Sequence, residues 1–202
     1  LHGLDGADVV RWALERAPGA VICSTNFRPQ EAVILHMVTR ELPDMPILWA
    51  DGGYALPETY RFAEKVIDLL ELNMHITQPV MTRPRWEALH GEAPTVDEVE
   101  AHQAFTEAVK IEPFHRGLRE LAPSIWLTAI RSSQTDFRAN LEVASLGPGG
   151  VLRVSPVFHW TDEDMDRYLA TYGLPDERVY FDPTKAESRR ECGLHLPGAD
   201  DP

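Results

Sequence analysis

The amino-acid sequence predicts an α/β fold in which helices cover both faces of a mostly parallel β-sheet. Short apolar runs, typical of buried strands, alternate along the chain with helical stretches of about 10 to 15 residues. Polar loops follow three of those runs, at residues 24–30, 51–58 and 131–138. Because ligands of parallel α/β sheets bind at the carboxyl ends of strands, the functional site is expected among these loops.

The first half of the chain shows the alternation most clearly. Apolar residues recur at helical spacing in three stretches, and a compact apolar run follows each of them. Pro18 and Gly19 end the first helix, and Pro57 suits the start of the third. The predicted elements are, in order, a helix over 9–16, a strand over 20–23, a helix over 29–40, a strand over 46–50, a helix over 57–70 and a strand over 73–78.

The second half is less regular. Residues 87–102 are polar without a clear period and are predicted to form a loop. Thr161 caps a helix that carries Glu163 and Asp164 in its first turn. The other predicted elements are a helix over 110–121, strands over 124–130 and 151–155, the helix over 160–172 and a loop-like segment from residue 173 onward.

Composition limits the classes of function. The 202 residues suit one domain, and the formal net charge is −13. Binding of nucleic acid is not expected, because it requires a basic surface. No apolar stretch is long enough to span a membrane and the first residues lack a signal-peptide pattern, so a cytoplasmic location is expected. Two cysteines, Cys23 and Cys192, are too few for a four-cysteine metal site and favour a reducing compartment.

The first two loops carry groups that suit a nucleotide. Ser24 and Thr25 precede a helix, where hydroxyls and backbone N–H groups favour an anion. In the second loop, Asp51 can accept hydrogen bonds from a ribose or a base, and Gly52 and Gly53 let the backbone turn beside a ligand. An ordinary capped loop and a tight turn are the alternative interpretations, which these residues alone leave open.

Basic residues near the strand ends are informative in so acidic a chain. Arginine binds phosphate and sulfate through paired hydrogen bonds, so a polyanionic ligand explains such a set better than solubility does. Surface ion pairs with Glu112 and Asp136 are the alternative for some members. The set consists of Arg28, Lys110, Arg116, Arg131 and Arg138.

Cys192 lies in a polar C-terminal segment, close to Arg189 and Arg190 and three residues before His195. Nearby positive charge favours the thiolate, which attacks electrophilic sulfur or a disulfide. An inert exposed cysteine is an equally open interpretation of this segment on its own. Cys23 ends an apolar run and is expected to be a packing residue.

Taken in order along the chain, these segments resemble the phosphoadenylyl-sulfate (PAPS) reductase family. The first loop, Ser24–Phe27 followed by Gln30, is similar to the family's modified pyrophosphate loop. Glu191–His195 reads E-C-G-L-H and matches the family's catalytic signature without a mismatch. Three blocks between them resemble the family's D-T-G-Y…P-E-T-Y, K-x-E-P…R and R-x-x-Q…R-A patterns, namely Asp51–Tyr60, Lys110–Arg116 and Arg131–Ala139.

The resemblance implies a fold related to adenine nucleotide α-hydrolases, the pyrophosphate-loop (PP-loop) enzymes. It also implies reduction of 3′-phosphoadenylyl sulfate to sulfite and adenosine 3′,5′-bisphosphate in sulfate assimilation, on the way to cysteine. Cys192, with His195, would be catalytic and form a cysteine S-sulfonate, with reduced thioredoxin or glutaredoxin as electron donor. Residues 1–172 would bind the nucleotide, and a mobile tail, 173–202, would carry the thiol. The residues implied to bind the substrate are Ser24, Thr25, Asn26, Phe27, Arg28, Asp51, Gly52, Gly53, Tyr54, Lys110, Arg116, Arg131, Gln134, Arg138 and Lys185.

Departures from the family pattern narrow the expectation. Two cysteines cannot supply the iron–sulfur cluster typical of relatives that use adenylyl sulfate, so no bound cofactor and the 3′-phosphorylated nucleotide are expected. Arg28 stands where the family has glycine, and residues 180–185 replace the family's usual segment, with Lys185 as a hypothetical phosphate contact. A cluster-free adenylyl-sulfate reductase and a non-catalytic nucleotide-binding relative are the alternatives. The resemblance also carries the expectation of a homodimer.

Overall fold

The computed structural model describes residues 1 and 3–185, which build a six-stranded sheet covered by helices. The strands are β1 (Val21–Ser24), β2 (Pro46–Ala50), β3 (Asn73–Thr77), β4 (Ile125–Leu127), β5 (Ala144–Leu146) and β6 (Leu152–Val154). Their order across the sheet is β3-β2-β1-β4-β6-β5. All neighbours pair in parallel except β5, which pairs antiparallel with β6 at one edge.

The helices occupy the stretches between the strands. They are α1 (Gly6–Arg16), α2 (Ala32–Glu41), α3 (Pro57–Leu70), α4 (Arg83–His90), α5 (Val99–Thr106), α6 (Glu112–Leu121), α7 (Asp136–Ala139) and α8 (Asp162–Tyr172). A π-helical turn, Glu107–Ile111, joins α5 to α6. None of the helices in the described part of the chain is long and apolar enough to cross a bilayer.

Alternate residues of the central strands pack on opposite faces of the sheet, as the two-residue period of a strand requires. In β1, Val21 and Cys23 belong to the larger core cluster, whereas Ile22 belongs to the smaller one. The larger cluster includes buried residues of α1, α2, α3 and α8, and the smaller includes Phe114 of α6. Helices therefore cover both faces, which confirms the predicted fold class.

The order of the strands determines where a ligand can bind. β1 lies between β2 and β4, so the chain runs from β1 toward one edge of the sheet and later returns to its other side. In sheets of this kind a crevice forms outside the carboxyl ends of the strands where the order reverses. The loops that follow β1 and β4 leave the sheet at that point.

The prediction of a loop over residues 87–102 holds for residues 91–98 and is wrong at both ends. The second half of α4 and the first half of α5 lie there, and Pro84 occupies the first turn of α4, where its missing N–H costs no helical hydrogen bond. None of the eight residues of α4 is buried, and α5 buries His102 and Phe105. Neither helix therefore shows the apolar stripe from which a helix is predicted.

Two short elements, α7 and the edge strand β5, have no counterpart in the predicted series. They contain four and three residues, too few to show a period. The strands expected at 124–130 and 151–155 are present as three residues each. The predicted cap of α8 is confirmed, because the Thr161 hydroxyl accepts from the Asp164 N–H and the Asp164 carboxylate accepts from the Thr161 N–H.

Candidate functional site

Two adjoining clefts open at the carboxyl ends of β1, β2 and β4, and Asn26, Ala50 and Lys110 line both. The first cleft is also lined by Ser24, Thr25, Arg28, Glu31, Phe114, Trp126, Thr128, Ala129, Ile130, Arg138 and Lys185. The second cleft is also lined by Trp49, Asp51, Gly52, Tyr54, Ala55, Val109 and residues 180–184.

A buried carboxylate, Glu31, organises the loop after β1. Its Oε2 accepts hydrogen bonds from the Thr25 hydroxyl at 2.5 Å and from the Asn26 N–H at 2.9 Å. Its Oε1 accepts from Arg28 Nε at 3.0 Å. Glu31 is only 6% exposed, and a charge so buried is tolerated because it is paired and hydrogen-bonded. Glu31 therefore holds together three residues that line the first cleft.

Several backbone N–H groups of the loop after β1 donate hydrogen bonds within the protein, although the sequence predicted that they would be free to bind an anion. The Phe27 N–H donates to the Thr25 hydroxyl, and the Gln30 N–H donates to Asp176 Oδ1 at 2.6 Å. Phe27 and Gln30 have left-handed backbones, with φ of 51° and 68°, a costly conformation for residues with side chains. Hydrogen-bond acceptors on side chains thus stabilise a left-handed backbone conformation that glycine adopts without strain.

Positive charge is concentrated in the first cleft. Arg28 spans it, because its Nη2 donates to the Ala129 carbonyl beyond the end of β4 at 3.1 Å. Arg138 is buried and donates to the Gln134 side chain. The cationic residues that line this cleft are Arg28, Lys110, Arg138 and Lys185. Four cations beside the single carboxylate of Glu31 suit a polyanionic ligand, even in a chain with a net charge of −13.

The turn after β2 brings backbone close to the second cleft. A side chain at Gly52 has no room, because its Cβ would lie 2.8 Å from the Val109 carbonyl oxygen. Asp51 Oδ1 accepts from the Tyr60 hydroxyl at 2.8 Å and from the Gly53 N–H at 3.0 Å. Asp51 therefore fixes the turn, and its carboxylate is already hydrogen-bonded within the protein.

Two polar atoms of the second cleft lack protein partners. The Tyr54 hydroxyl and Asn26 Oδ1 are buried without a hydrogen-bond partner among the described residues. Burial raises the pKa of Tyr54, so its hydroxyl stays protonated and can donate, while Asn26 Oδ1 can accept. A ligand in this cleft that carries both an acceptor and a donor would satisfy the pair.

Residues 174–185, which we call the strap, follow α8, and residues 180–184 of the strap line the second cleft. Asp182 forms an ion pair with Lys110, and the Thr184 hydroxyl lies 3.1 Å from Lys110 Nζ. Burial alone would raise the pKa of Asp182, but the Lys110 ammonium, together with the Thr184 hydroxyl and Lys185, outweighs burial, and the net shift is downward. Asp182 is therefore ionised at neutral pH.

Two of the predicted substrate-binding arginines lie outside the lining of both clefts. Arg116 pairs with Glu112 one helical turn away at 2.9 Å, which is the alternative interpretation given for this residue. Arg131 is buried, and its Nη2 donates to Gln30 Oε1 at 3.0 Å and to Asp162 Oδ1 at 2.8 Å. Arg131 thereby ties the loop after β1 to the first turn of α8, and contact with substrate stays a prediction for both arginines.

Three further predicted residues support the clefts from outside. Phe27 is buried in the core, with its ring 4.8 Å from that of Trp49. Gly53 has a φ of 79° and lets the turn after β2 close. Gln134 accepts from the Arg131 N–H and from the Arg138 side chain. None of these three residues lines the two clefts described above, so their contact with substrate stays a prediction.

Sequence reasoning missed several residues of the site, among them three with hydrogen bonds or ion pairs in it: Glu31, Trp126 and Asp182. The i, i+3 spacing of Arg28 and Glu31 is a visible signal for the first of them. The Trp126 indole N–H donates to the Ser24 hydroxyl at 2.8 Å across β1 and β4, a pairing that depends on strand order. Asp182 lies 72 residues from its partner Lys110, a separation for which no local pattern exists.

The two cysteines differ in what can be said of them. Cys23 is fully buried, and burial, with a smaller contribution from the Glu31 charge, raises the pKa of its thiol. This confirms it as a packing residue. Cys192 and His195 lie outside the described residues. Within residues 1 and 3–185, no cluster of three His, Cys, Asp or Glu side chains is arranged to hold a metal ion.

Comparison with known proteins identifies relatives along the whole chain. A family model described as the phosphoadenosine phosphosulfate reductase domain matches residues 20–183. A phosphoadenosine 5′-phosphosulfate reductase of Synechocystis sp. is 32% identical over 98% of this chain and 88% of its own length. The enzyme of the same name from Shigella dysenteriae is 33% identical over 96% of this chain and 88% of its own length.

Solved structures agree on the fold. A crystal structure of phosphoadenylyl-sulfate reductase from Candida auris, in complex with phosphate, superposes with a TM-score of 0.73 over 86% of this chain and 82% of that one, at 24% identity. The tRNA thiolase NcsA from Methanococcus maripaludis superposes with a TM-score of 0.58 over 86% of this chain and 64% of that one, at 11% identity. An α/β fold shared with such enzymes is what the sequence predicted.

Proposed function

The chain belongs to the phosphoadenosine phosphosulfate reductase family, and we propose that it reduces 3′-phosphoadenylyl sulfate through an S-sulfonate on Cys192. This makes it an oxidoreductase of sulfate assimilation, which supplies sulfite for cysteine biosynthesis. The cationic lining of the first cleft is the observation that supports the substrate most directly, because Arg28, Lys110 and Arg138 are suited to phosphate and sulfate groups.

The two clefts suggest that different parts of the substrate bind in each of them. The nucleoside suits the second cleft, where the Tyr54 hydroxyl and Asn26 Oδ1 offer a donor and an acceptor. The phosphate and sulfate groups suit the first cleft, with Lys110 shared between the two. Lys185 lines the first cleft, in agreement with the phosphate contact hypothesised for it from the sequence.

The reaction proceeds in two displacements at sulfur. The Cys192 thiolate attacks the sulfate sulfur, the bond from that sulfur to the phosphate oxygen breaks, and adenosine 3′,5′-bisphosphate leaves with the bond's electron pair. A thiolate of reduced thioredoxin or glutaredoxin then attacks the Cys192 sulfur and releases sulfite, forming a mixed disulfide. The donor's second thiol resolves that disulfide, so the donor's dithiol supplies the two electrons.

The remaining assignments follow from the sequence and the family. Residues 1–172 hold the nucleotide, and residues 173–202 carry Cys192 and His195 to it, which excludes water during the first displacement. Two cysteines in 202 residues favour a reaction without an iron–sulfur cluster and, with it, the 3′-phosphorylated nucleotide. A reducing, cytoplasmic setting suits a reaction that consumes dithiols, and a homodimer is part of the proposal.

Intact-protein mass spectrometry tests this function. The reduced protein is mixed with 3′-phosphoadenylyl sulfate, and a gain of one SO₃ group is expected that disappears when reduced thioredoxin is added. Cys192→Ser is expected to gain nothing. Cys23→Ala is the matched control, since the buried Cys23 takes no part and the adduct should form as in the wild type.

Other outcomes distinguish the alternatives. An adduct formed equally well from adenylyl sulfate would show that the 3′-phosphate is not selected. Binding of nucleotide without an adduct would indicate a non-catalytic relative. An adduct on Cys23 would contradict the assignment of the nucleophile.

A further inference from the structure

The strap is held against the clefts by a carboxylate of its own, Asp182, at a place where an anionic substrate is expected. Asp182 pairs with Lys110, which lines both clefts, and the two side chains are only 10% and 11% exposed. The Thr184 N–H and hydroxyl donate to Asp182 Oδ1 at 3.0 and 2.6 Å, which leaves Oδ2 for the lysine. The carboxylate is thus preorganised to neutralise this cation.

A second carboxylate of the strap occupies the start of α2. Asp176 Oδ1 accepts from the Gln30 N–H, two residues before α2 begins, at 2.6 Å. Asp176 Oδ2 is also paired with Arg178 of the strap itself at 2.6 Å, and neither Asp176 nor Gln30 lines either cleft. Asp176 therefore anchors the strap beside the clefts, and Asp182 is the carboxylate that stands on a group suited to a substrate anion.

Neutral contacts and one ion pair complete the attachment. His102 Nε2 donates to the Pro183 carbonyl at 3.0 Å, and Arg178 pairs with Asp166 of α8 at 2.6 Å. Residues 180–184 form part of the wall of the second cleft. A nucleotide bound in this cleft therefore contacts the strap, and one that takes Lys110 must compete with Asp182.

We propose that Asp182 is a built-in substitute for a substrate anion, so that nucleotide binding and release of the strap are a single exchange. The inference rests on the function proposed above and adds a regulatory step to it. The phosphate or sulfate of the nucleotide displaces Asp182 from Lys110, and the strap detaches from the second cleft before the tail closes over the nucleotide for the first displacement. In sequence the strap ends seven residues before Cys192, so release of the strap acts on the chain that leads to the nucleophile.

Binding of adenosine 3′,5′-bisphosphate, measured by calorimetry at fixed ionic strength, tests the exchange. Asp182→Asn keeps the shape of the side chain but removes the charge that competes for Lys110. This variant should bind adenosine 3′,5′-bisphosphate about fivefold more tightly, because a smaller fraction of the protein has the strap attached to Lys110. Asp8→Asn is the matched control: it also removes one negative charge and one ion pair, with Arg11, but on the distant α1. Its affinity should equal that of the wild type.

Cleavage by trypsin after Arg178 provides a readout that needs no turnover. The nucleotide should accelerate this cleavage in the wild type, and Asp182→Asn should be cleaved rapidly without it. Protection of Arg178 by the nucleotide, or binding by Asp182→Asn no tighter than by the wild type, would overturn the exchange alone. Failure of all three proteins to bind the nucleotide would overturn the proposed function together with the exchange.

Discussion

Glu31 allows a direct test of how the loop after β1 is stabilised. Replacing it with alanine removes the acceptor of three hydrogen bonds and leaves the Arg28 guanidinium without its carboxylate. Both side chains are mostly buried, at 7% and 20% exposure, so solvent can only partly replace the lost contacts. Breaking a buried ion pair on one side costs about 3–5 kcal/mol, and we expect about 3 kcal/mol because Arg28 retains some solvent and its bond to the Ala129 carbonyl.

The same helix supplies a matched control. Glu41, at the end of α2, pairs with Arg11 at 2.8 Å on the surface, with 21% and 48% of the side chains exposed. Exposed pairs contribute about 0–1 kcal/mol, so Glu41→Ala should change the free energy of unfolding by less than 1 kcal/mol. Glu31→Gln should lie between the two, because its amide can still accept from the Asn26 N–H but no longer neutralises Arg28.

Urea denaturation, followed by tryptophan fluorescence, gives the free energy of unfolding of each variant. A loss of stability in Glu31→Ala no greater than that in Glu41→Ala would refute the reasoning. It would mean that the loop after β1 keeps its shape without the buried carboxylate.

Two further predictions concern a close backbone approach and a helix cap. Gly52→Ala should lower kcat/KM by about tenfold to 100-fold, because the added Cβ pushes on the Val109 carbonyl next to the second cleft. Gly19→Ala is the control, because a Cβ at Gly19 makes only ordinary contacts. Equal kinetics of the two variants would contradict the prediction. Thr161→Ala should lower the urea midpoint at pH 7, because hydrogen bonds from Thr161, with a smaller contribution from Arg167, hold the pKa of Asp164 below its usual value. A carboxyl whose pKa is lower in the folded than in the unfolded protein stabilises the fold at pH values above its unfolded pKa, and this stabilisation is lost as the pH falls through its folded pKa. The difference in urea midpoint between Thr161→Ala and the wild type should therefore narrow below about pH 4, and a constant difference would contradict this.

The parts of the fold that could be predicted are those with a local period. Val21, Ile22 and Cys23 form an apolar run that is buried on both faces, and the sequence alone places it as a strand. α4 could not be predicted in this way, because a helix without buried residues leaves no apolar stripe in the sequence. β5 contains three residues, and its position is determined by pairing with β6 rather than by its own composition.

The candidate site likewise has a part that the sequence predicted and a part that it did not. The loop at the carboxyl end of β1 places Ser24 and Arg28 in the first cleft, where ligands of such sheets are expected, and Lys110 enters the same cleft from the π-helical turn before α6. Contact of these residues with substrate stays a prediction. The partners of these groups could not be predicted. Asp182 reaches Lys110 only through the path of the strap, and that path depends on tertiary contacts such as the one between His102 and the Pro183 carbonyl.

The acidic composition and the cationic first cleft are compatible because the acids supply partners for the buried bases. A buried guanidinium or ammonium without an anion is costly, so a site that collects several cations needs carboxylates of its own to be stable. Glu31 beside Arg28 and Asp182 beside Lys110 meet that need. The two pairs differ in kind, since Glu31 is fixed at the start of α2, whereas Asp182 is carried by the strap. The fixed carboxylate therefore sets the shape of the anion site, and the carboxylate on the strap is the one that a substrate can replace.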